Sequence, residues 1–182
     1  NLTSKEYLNI LNITESWYSK ENNFGNLNLL DSHDVPRALN TLDKDIKSLK
    51  LALFLLFLNK GVPCIYYGTE IGLSGGAEPY CRESFPSSNQ FQFDIRGFIK
   101  NLIEFRNRYR ISIKRGIKWT SPEENIICGN SKSKKNKIIV FVNRSKLSEF
   151  YLPKKYSKNI FKSDELTSDE VLAPQSFICY LD

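Results

Sequence analysis

Leu27-Asn28-Leu29-Leu30 runs into Asp31-Ser32-His33-Asp34-Val35-Pro36-Arg37, and Gly61-Val62-Pro63-Cys64-Ile65-Tyr66-Tyr67 runs into Gly68-Thr69-Glu70. Each is a short apolar run that stops abruptly at polar residues, the pattern of a buried strand meeting a loop. Between them, residues 43–58 predict a helix. Thr41 or Asp43 can cap its start, Asp43 and Asp45 suit the positive end of its dipole, and Gly61 follows as a stop signal. Its second half is apolar nearly all round, so it should pack on more than one side. A further helix is predicted over 94–109. Ile95, Phe98, Ile99, Leu102 and Ile103 share one face there, while Arg96, Lys100, Glu104 and Arg108 fall away from it. Strand, helix, strand, helix with buried strands is the order of a parallel α/β sheet.

Working outward, residues 4–13 predict a helix, followed by polar, Asn-rich sequence. Residues 72–92 are a long loop rich in Gly, Pro and Ser, and loops of that length are usually either functional or disordered. The character changes near Ile111. Strand-like runs at 125–128, 137–143, 149–152 and 177–181 are separated by Ser, Lys, Asn and Pro clusters, which predicts a small antiparallel β-domain beginning at about 110–116.

The totals exclude several classes. The 182 residues are 41% hydrophobic, ample for a core. No apolar run reaches the roughly 18–20 residues that cross a bilayer. The formal net charge of +6 invites a nucleic-acid reading. Its densest cluster, Lys132, Lys134, Lys135 and Lys137, instead sits in a Ser/Asn-rich stretch between two strand-like runs, as a solvated hairpin loop would. The four cysteines form no C-x-x-C pair and there is one histidine, which argues against zinc. No cofactor motif and no calcium ligand set is recognisable. The chain contains no methionine and begins with Asn1, which suggests a segment of something longer.

Three stretches can carry chemistry. In the first, Asp31, His33, Asp34 and Arg37 follow a strand. In parallel barrels, residues at the C-terminal ends of strands line the active site. A carboxylate there can stabilise developing positive charge, and a histidine can donate to a sugar hydroxyl. The plainer alternative is a loop whose Asp caps the next helix. In the second, Tyr66, Tyr67 and Glu70 end a strand. Sugar stacking is possible there, and barrel core is the simpler reading. In the third, Gly75-Gly76-Ala77-Glu78-Pro79-Tyr80-Cys81-Arg82, a glycine turn presents an acid and a base four apart, and a surface ion pair of little consequence is the alternative.

Taken together, in this order and spacing, the three stretches resemble the end of the barrel in α-amylase-family glycoside hydrolases. The likeness is to the neopullulanase, cyclomaltodextrinase and maltogenic amylase group. Ser32-His33-Asp34 resembles the motif that ends the family's seventh strand. Gly61 to Gly72 resembles its eighth strand, and Gly75 to Arg82 the loop that follows. The resemblance implies an α/β fold: the C-terminal part of a (β/α)₈ barrel, about strands seven and eight with their helices, at 1–112. A C-terminal antiparallel β-sandwich domain follows at 113–182. It implies that Asp34 is a transition-state stabiliser, that His33 binds sugar in the same subsite, and that Glu78 and Arg82 contact the neighbouring glucose. Two departures stand out. Glu78 replaces the usual, shorter Asp, and Ser87 stands where a Trp is usual.

The implied activity is retaining hydrolysis of α-1,4 glucosidic bonds, with α-1,6 bonds as a further target, in maltooligosaccharides, cyclodextrins or pullulan, in the cytoplasm. The partners implied are an α-glucan oligosaccharide and the rest of the barrel, with neither nucleic acid nor membrane. A whole barrel takes roughly 250 residues. The motifs for the family's nucleophile and general acid do not occur in this chain, so it should hydrolyse nothing alone. A non-catalytic relative or gene remnant that at most binds sugar stays open.

Overall fold

The computed structural model describes residues 2–131, 133, 136–153, 156, 158–164 and 170–181. Two compact units form, and they do not follow chain order. One is Asn26–Arg108; the other joins Asn1–Gly25 to Tyr109–Asp182. Helices α1 (Ser4–Ser16) and α2 (Lys20–Gly25) belong to the second unit. Strand β1 (Leu27–Asn28), helices α3 (Ala38–Thr41) and α4 (Ile46–Leu58), strand β2 (Val62–Pro63) and helix α5 (Arg96–Arg108) build the first. Helix α6 (Arg110–Lys114) and strands β3 (Ile117–Thr120), β4 (Ile126–Ser131), β5 (Ile138–Asn143), β6 (Phe150–Tyr151), β7 (Lys158–Lys162), β8 (Val171–Leu172) and β9 (Ser176–Leu181) complete the second. Among the described residues no helix is long and apolar enough to cross a membrane.

In the unit of residues 26–108, β1 and β2 run parallel, with Leu27 opposite Val62 and Asn28 opposite Pro63. The expected strand–helix–strand order holds, and two details differ. The strands are only two residues long, and their apolar side chains are not enclosed: Leu27 is 61% and Val62 50% exposed. Each strand has the other as its only partner among the described residues. A two-stranded pair has no neighbouring strands to extend its ladder or cover its faces. The second difference is at the start of α4. Asp43 and Lys44 take left-handed backbone conformations (φ 55° and 59°), so neither is helical. Asp45 is the cap, accepting from the amides of Lys47 and Ser48.

Helix α4 carries the core. Leu49, Leu53, Phe54 and Leu58 are fully enclosed, and Leu102 of α5 joins them. Each such burial contributes about 1.5–3 kcal/mol. The Lys50 ammonium lies 5.7 Å from the centre of the Phe98 ring. Arg106 of α5 donates to the carbonyls of Phe57, Asn59 and Gly61, satisfying groups that a helix end leaves open.

In the other unit, Thr3 and Glu6 form a reciprocal capping box that starts α1. The Ser4 amide donates to the Glu124 carbonyl at 2.7 Å, and Arg144 donates to Ser4 and to the Leu2 carbonyl. The main sheet is antiparallel in the order β3-β4-β5-β9-β7, and β6 pairs with β8 in a second, two-stranded sheet. Ile139, Phe141, Ile178 and Tyr180 of the main sheet share a buried cluster with Leu172 of β8, and Phe150 of β6 packs against it. Strand β5 is buried along its whole length, as the middle of the sheet requires. Trp119 lies across from Gly129, where an added Cβ would sit 2.5 Å from the indole ring. Glycine there makes room for the Trp. The strand-like runs expected from the sequence fall on β4, β5, β6 and β9, while β7 and β8 were not anticipated. Of the basic cluster, Lys132, Lys134 and Lys135 lie outside the described residues.

Candidate functional site

Asp31 and Asp34 are alike in the sequence and separate in the fold. Asp31 is buried. Its carboxylate accepts from the amide of Ala38, the first residue of α3, at 2.9 Å and from the Thr69 hydroxyl at 3.1 Å. It therefore takes the capping role and ties the loop after β1 to the loop after β2. Asp34, three residues on, turns outward with its side chain 65% exposed.

Two side chains hold Asp34. One oxygen lies 3.2 Å from Nε2 of His33, and the other lies 3.4 Å from a terminal nitrogen of Arg82. Arg82 also donates its Nε to the His33 carbonyl at 2.9 Å, and the Cys81 thiol donates to the same oxygen at 3.2 Å. The remaining terminal nitrogen of Arg82 meets Glu78 at 3.0 Å. The four residues singled out from the sequence, His33, Asp34, Glu78 and Arg82, thus form one chain of contacts: His33 to Asp34 to Arg82 to Glu78. One guanidinium faces two carboxylates, and an exposed imidazole stands at the end.

Arg82 and Glu78 get their positions from the loop after β2. A single helical turn, Tyr80–Arg82, follows a cis Glu78–Pro79 bond and points Arg82 back toward His33. Gly75 underlies this turn; a Cβ there would sit 2.2 Å from the Tyr80 carbonyl oxygen. On the loop's far side Ser87 forms a capping box with Gln90, and Phe85 meets Phe91 edge-on at 5.8 Å. Tyr80 and Phe85 are exposed aromatics on this rim. Glu70, at the end of the second stretch, keeps one carboxylate oxygen buried without a hydrogen-bond partner among the described residues.

Three further residues contribute to the site in ways residue type did not show. Cys81 was quoted with its stretch and given no role, and its buried thiol bonds to the site's backbone. Tyr67 donates its hydroxyl to the Glu83 carbonyl at 2.7 Å, and partial desolvation pushes the phenol of its neighbour Tyr66 above its ordinary range. Arg37 was quoted with its motif and given no role. It is fully buried, and its guanidinium lies over the rings of Tyr66 and Tyr67 at 4.2 and 4.5 Å. Only the residue type was visible in the sequence, and burial of an arginine is set by what surrounds it in space.

Chemically the cluster is an open polar surface of fixed geometry. Two carboxylates offer acceptors and Arg82 offers a donor fork, so it suits a neutral ligand dense in hydroxyl groups.

Comparison with known proteins gives a consistent picture. The family model for the α-amylase catalytic domain matches residues 1–136. A maltogenic α-amylase from Bacillus acidopullulyticus is 31% identical over 172 residues, covering 89% of this chain and 29% of that protein. A cyclomaltodextrinase from Geobacillus thermopakistaniensis is 39% identical over 100 residues, covering 54% of this chain and 17% of its own length. The chain thus spans less than a third of either relative. Among solved structures, the cyclic α-maltosyl-(1→6)-maltose hydrolase of Arthrobacter globiformis superposes on 100% of this chain and 40% of its own. The TM-score is 0.79 at 24% identity, a likeness of fold to part of a larger molecule. A family match over three quarters of the sequence, across the residues that build the Asp34 cluster, settles the family: the chain belongs to the α-amylase family.

Proposed function

We propose that the chain supplies the sugar-binding end of a catalytic barrel that hydrolyses α-glucosidic bonds in maltooligosaccharides, cyclodextrins or pullulan. Residues 1–112 are then the last part of the barrel, about strands seven and eight with their helices, and 113–182 the β-sandwich domain after it. The observation that carries the reading is the Asp34 cluster. Its carboxylate is held from two sides by His33 and Arg82 and still open to solvent.

In this reading Asp34 accepts hydrogen bonds from sugar hydroxyls at the cleavage point and stabilises positive charge as the glycosidic bond breaks. His33 donates to the same sugar. Arg82 and Glu78 bind the next glucose. Glu78, one methylene longer than the family's Asp, reaches Arg82 directly. The retaining reaction also needs a nucleophile and a general acid with carboxyls about 5–5.5 Å apart. Neither is assigned to a residue of this chain. The α-glucan substrate, the rest of the barrel as partner, and a cytoplasmic site of action rest on likeness to the family.

The test has two parts. The purified 182-residue chain should release no glucose from maltotriose. Glucose release by the chain itself would overturn this division of labour. Reading the gene upstream of the codon for Asn1 should show an open frame carrying the nucleophile Asp and the acid Glu. A stop codon close upstream would count against a working hydrolase.

A further inference from the structure

Arg37 is the most deeply buried charge of its unit. It is fully enclosed, yet among the described residues no carboxylate is paired with it and two of its nitrogens have no hydrogen-bond partner. Burying a cation without an anion is costly. Two ring faces offset part of that cost, because the guanidinium carbon lies 4.2 Å from the centre of the Tyr66 ring and 4.5 Å from that of Tyr67.

Its carbonyl accepts from Thr41 within α3, and its other contacts point toward the loop after β2. Its amide donates to the Gly75 carbonyl at 2.9 Å, and a terminal nitrogen donates to the Tyr67 carbonyl. Its side chain lies against Gly75, where an added Cβ would come within 3.4 Å of Arg37 Cγ. Tyr67 in turn donates to the Glu83 carbonyl, one residue past Arg82. One residue thus joins the loop after β1, which carries His33 and Asp34, to Tyr67 in the loop after β2 and, directly at Gly75 and through Tyr67 at Glu83, to both flanks of the segment that carries Glu78 and Arg82.

We propose that Arg37 is the positioning residue of the site: it clamps the Gly75–Glu83 loop so that Arg82 stays on Asp34 and on the His33 carbonyl. It touches no sugar and acts through Arg82. The proposal rests on the sugar-site reading for its consequence and on geometry alone for the clamp. Lysine cannot replace Arg37 fully, because a point charge on a flexible stem cannot cover two rings and reach the Tyr67 carbonyl together.

His33 is the chain's only histidine, so its imidazole proton resonances report on the site without assignment ambiguity. The experiment records them at fixed pH in the 182-residue chain and in Arg37→Gln, Arg82→Ala and the double variant, each titrated with maltotriose. The expected result is that Arg37→Gln shifts the His33 resonance as Arg82→Ala does and that the double variant shifts it no further. Both single variants should bind maltotriose at least about tenfold more weakly, the size of one lost charge-assisted hydrogen bond. Arg37→Lys should recover part of the wild-type resonance position. A purely structural role would instead give shifts that add, and additive shifts or an unmoved His33 resonance in folded Arg37→Gln overturn the proposal. Where Arg37→Gln does not fold, Gly75→Ala decides. It attacks the clamp at the Tyr80 carbonyl and leaves Arg37 in place, and a His33 resonance unmoved by it overturns the clamp. A clamp that behaves as expected in a chain whose resonances never respond to maltotriose sinks the sugar reading alone.

Discussion

Arg82 binds the backbone and the side chain of one dipeptide at once: its Nε donates to the His33 carbonyl at 2.9 Å, and its terminal nitrogen lies 3.4 Å from the Asp34 carboxylate. This makes the glycine-rich loop part of the site. It also gives the Arg82 guanidinium a fixed plane, which a lone surface ion pair would not have. Arg82→Lys should therefore behave like a loss of function. Lysine can meet Asp34 or the His33 carbonyl, and its single charge cannot span both along with Glu78. The check is maltotriose binding in Arg82→Lys, expected to be at least about tenfold weaker. Wild-type binding in that variant would show that the two-point contact is incidental.

Arg106 is the structural counterpart, remote from the Asp34 cluster in its contacts. Partial burial lowers its pKa, and its fork serves the carbonyls of Phe57, Asn59 and Gly61 at the end of α4. Replacing it by Met keeps the aliphatic packing and leaves those carbonyls without their donor. The loss should be about 2–3 kcal/mol, on the scale of hydrogen bonds to a charged group. Urea unfolding of Arg106→Met followed by circular dichroism measures it, and an unchanged midpoint would contradict the capping role.

The Asp94–Arg96 pair sets a pH signature. Arg96, through its side chain first and its amide second, holds the Asp94 carboxyl at about 2, below its ordinary 3.8. A carboxyl depressed in the folded state stabilises fully above its ordinary value, and that contribution is lost as pH falls through about 2. The pair is exposed, so its effect on stability is small. Carboxyl titration by NMR should place Asp94 near 2 in the wild-type chain, with a partial return toward 3.8 in Arg96→Ala, whose backbone amide remains. An Asp94 midpoint near 3.8 in the wild-type chain would refute the pairing.

Cys128 and Cys179 should resist alkylation. Desolvation first, and then Glu123, push the Cys128 thiol up to about 11, and burial pushes Cys179 well above its ordinary range. Only the thiolate reacts. At pH 8 a maleimide should leave both unlabelled in the native chain and label both in urea. Native labelling of Cys179 would mean that β9 opens readily.

The sequence made the chemistry legible more readily than the geometry. Ser32-His33-Asp34 and Glu78 to Arg82 could be picked out because their order and spacing resemble the end of the α-amylase-family barrel; residue type alone left a helix cap and a surface ion pair open. The strand–helix–strand order and the later β-rich region were also legible, since both rest on periodicity. What escaped were properties set by neighbours in space. Leu27 and Val62 read as enclosed because they sit in apolar runs, and enclosure depends on strands and helices packed against them. Asp43 read as a helix start because it is acidic, and Asp45 took the role because it accepts from both Lys47 and Ser48 while the chain turns through left-handed geometry at Asp43 and Lys44. Residue type did not separate Asp31 from Asp34; the family resemblance pointed to Asp34, and the bond from Thr69, distant in sequence, shows what Asp31 does instead.

The most direct test of the central claim is calorimetric titration of maltotriose into the 182-residue chain and into Asp34→Asn, with both shown to be folded by circular dichroism. The account predicts measurable binding by the wild-type chain and at least about a tenfold loss in the variant, because the amide cannot take Arg82, His33 and sugar hydroxyls together. Equal binding by the two chains would contradict it, and Asp34 would then be an exposed carboxylate with no part in holding sugar.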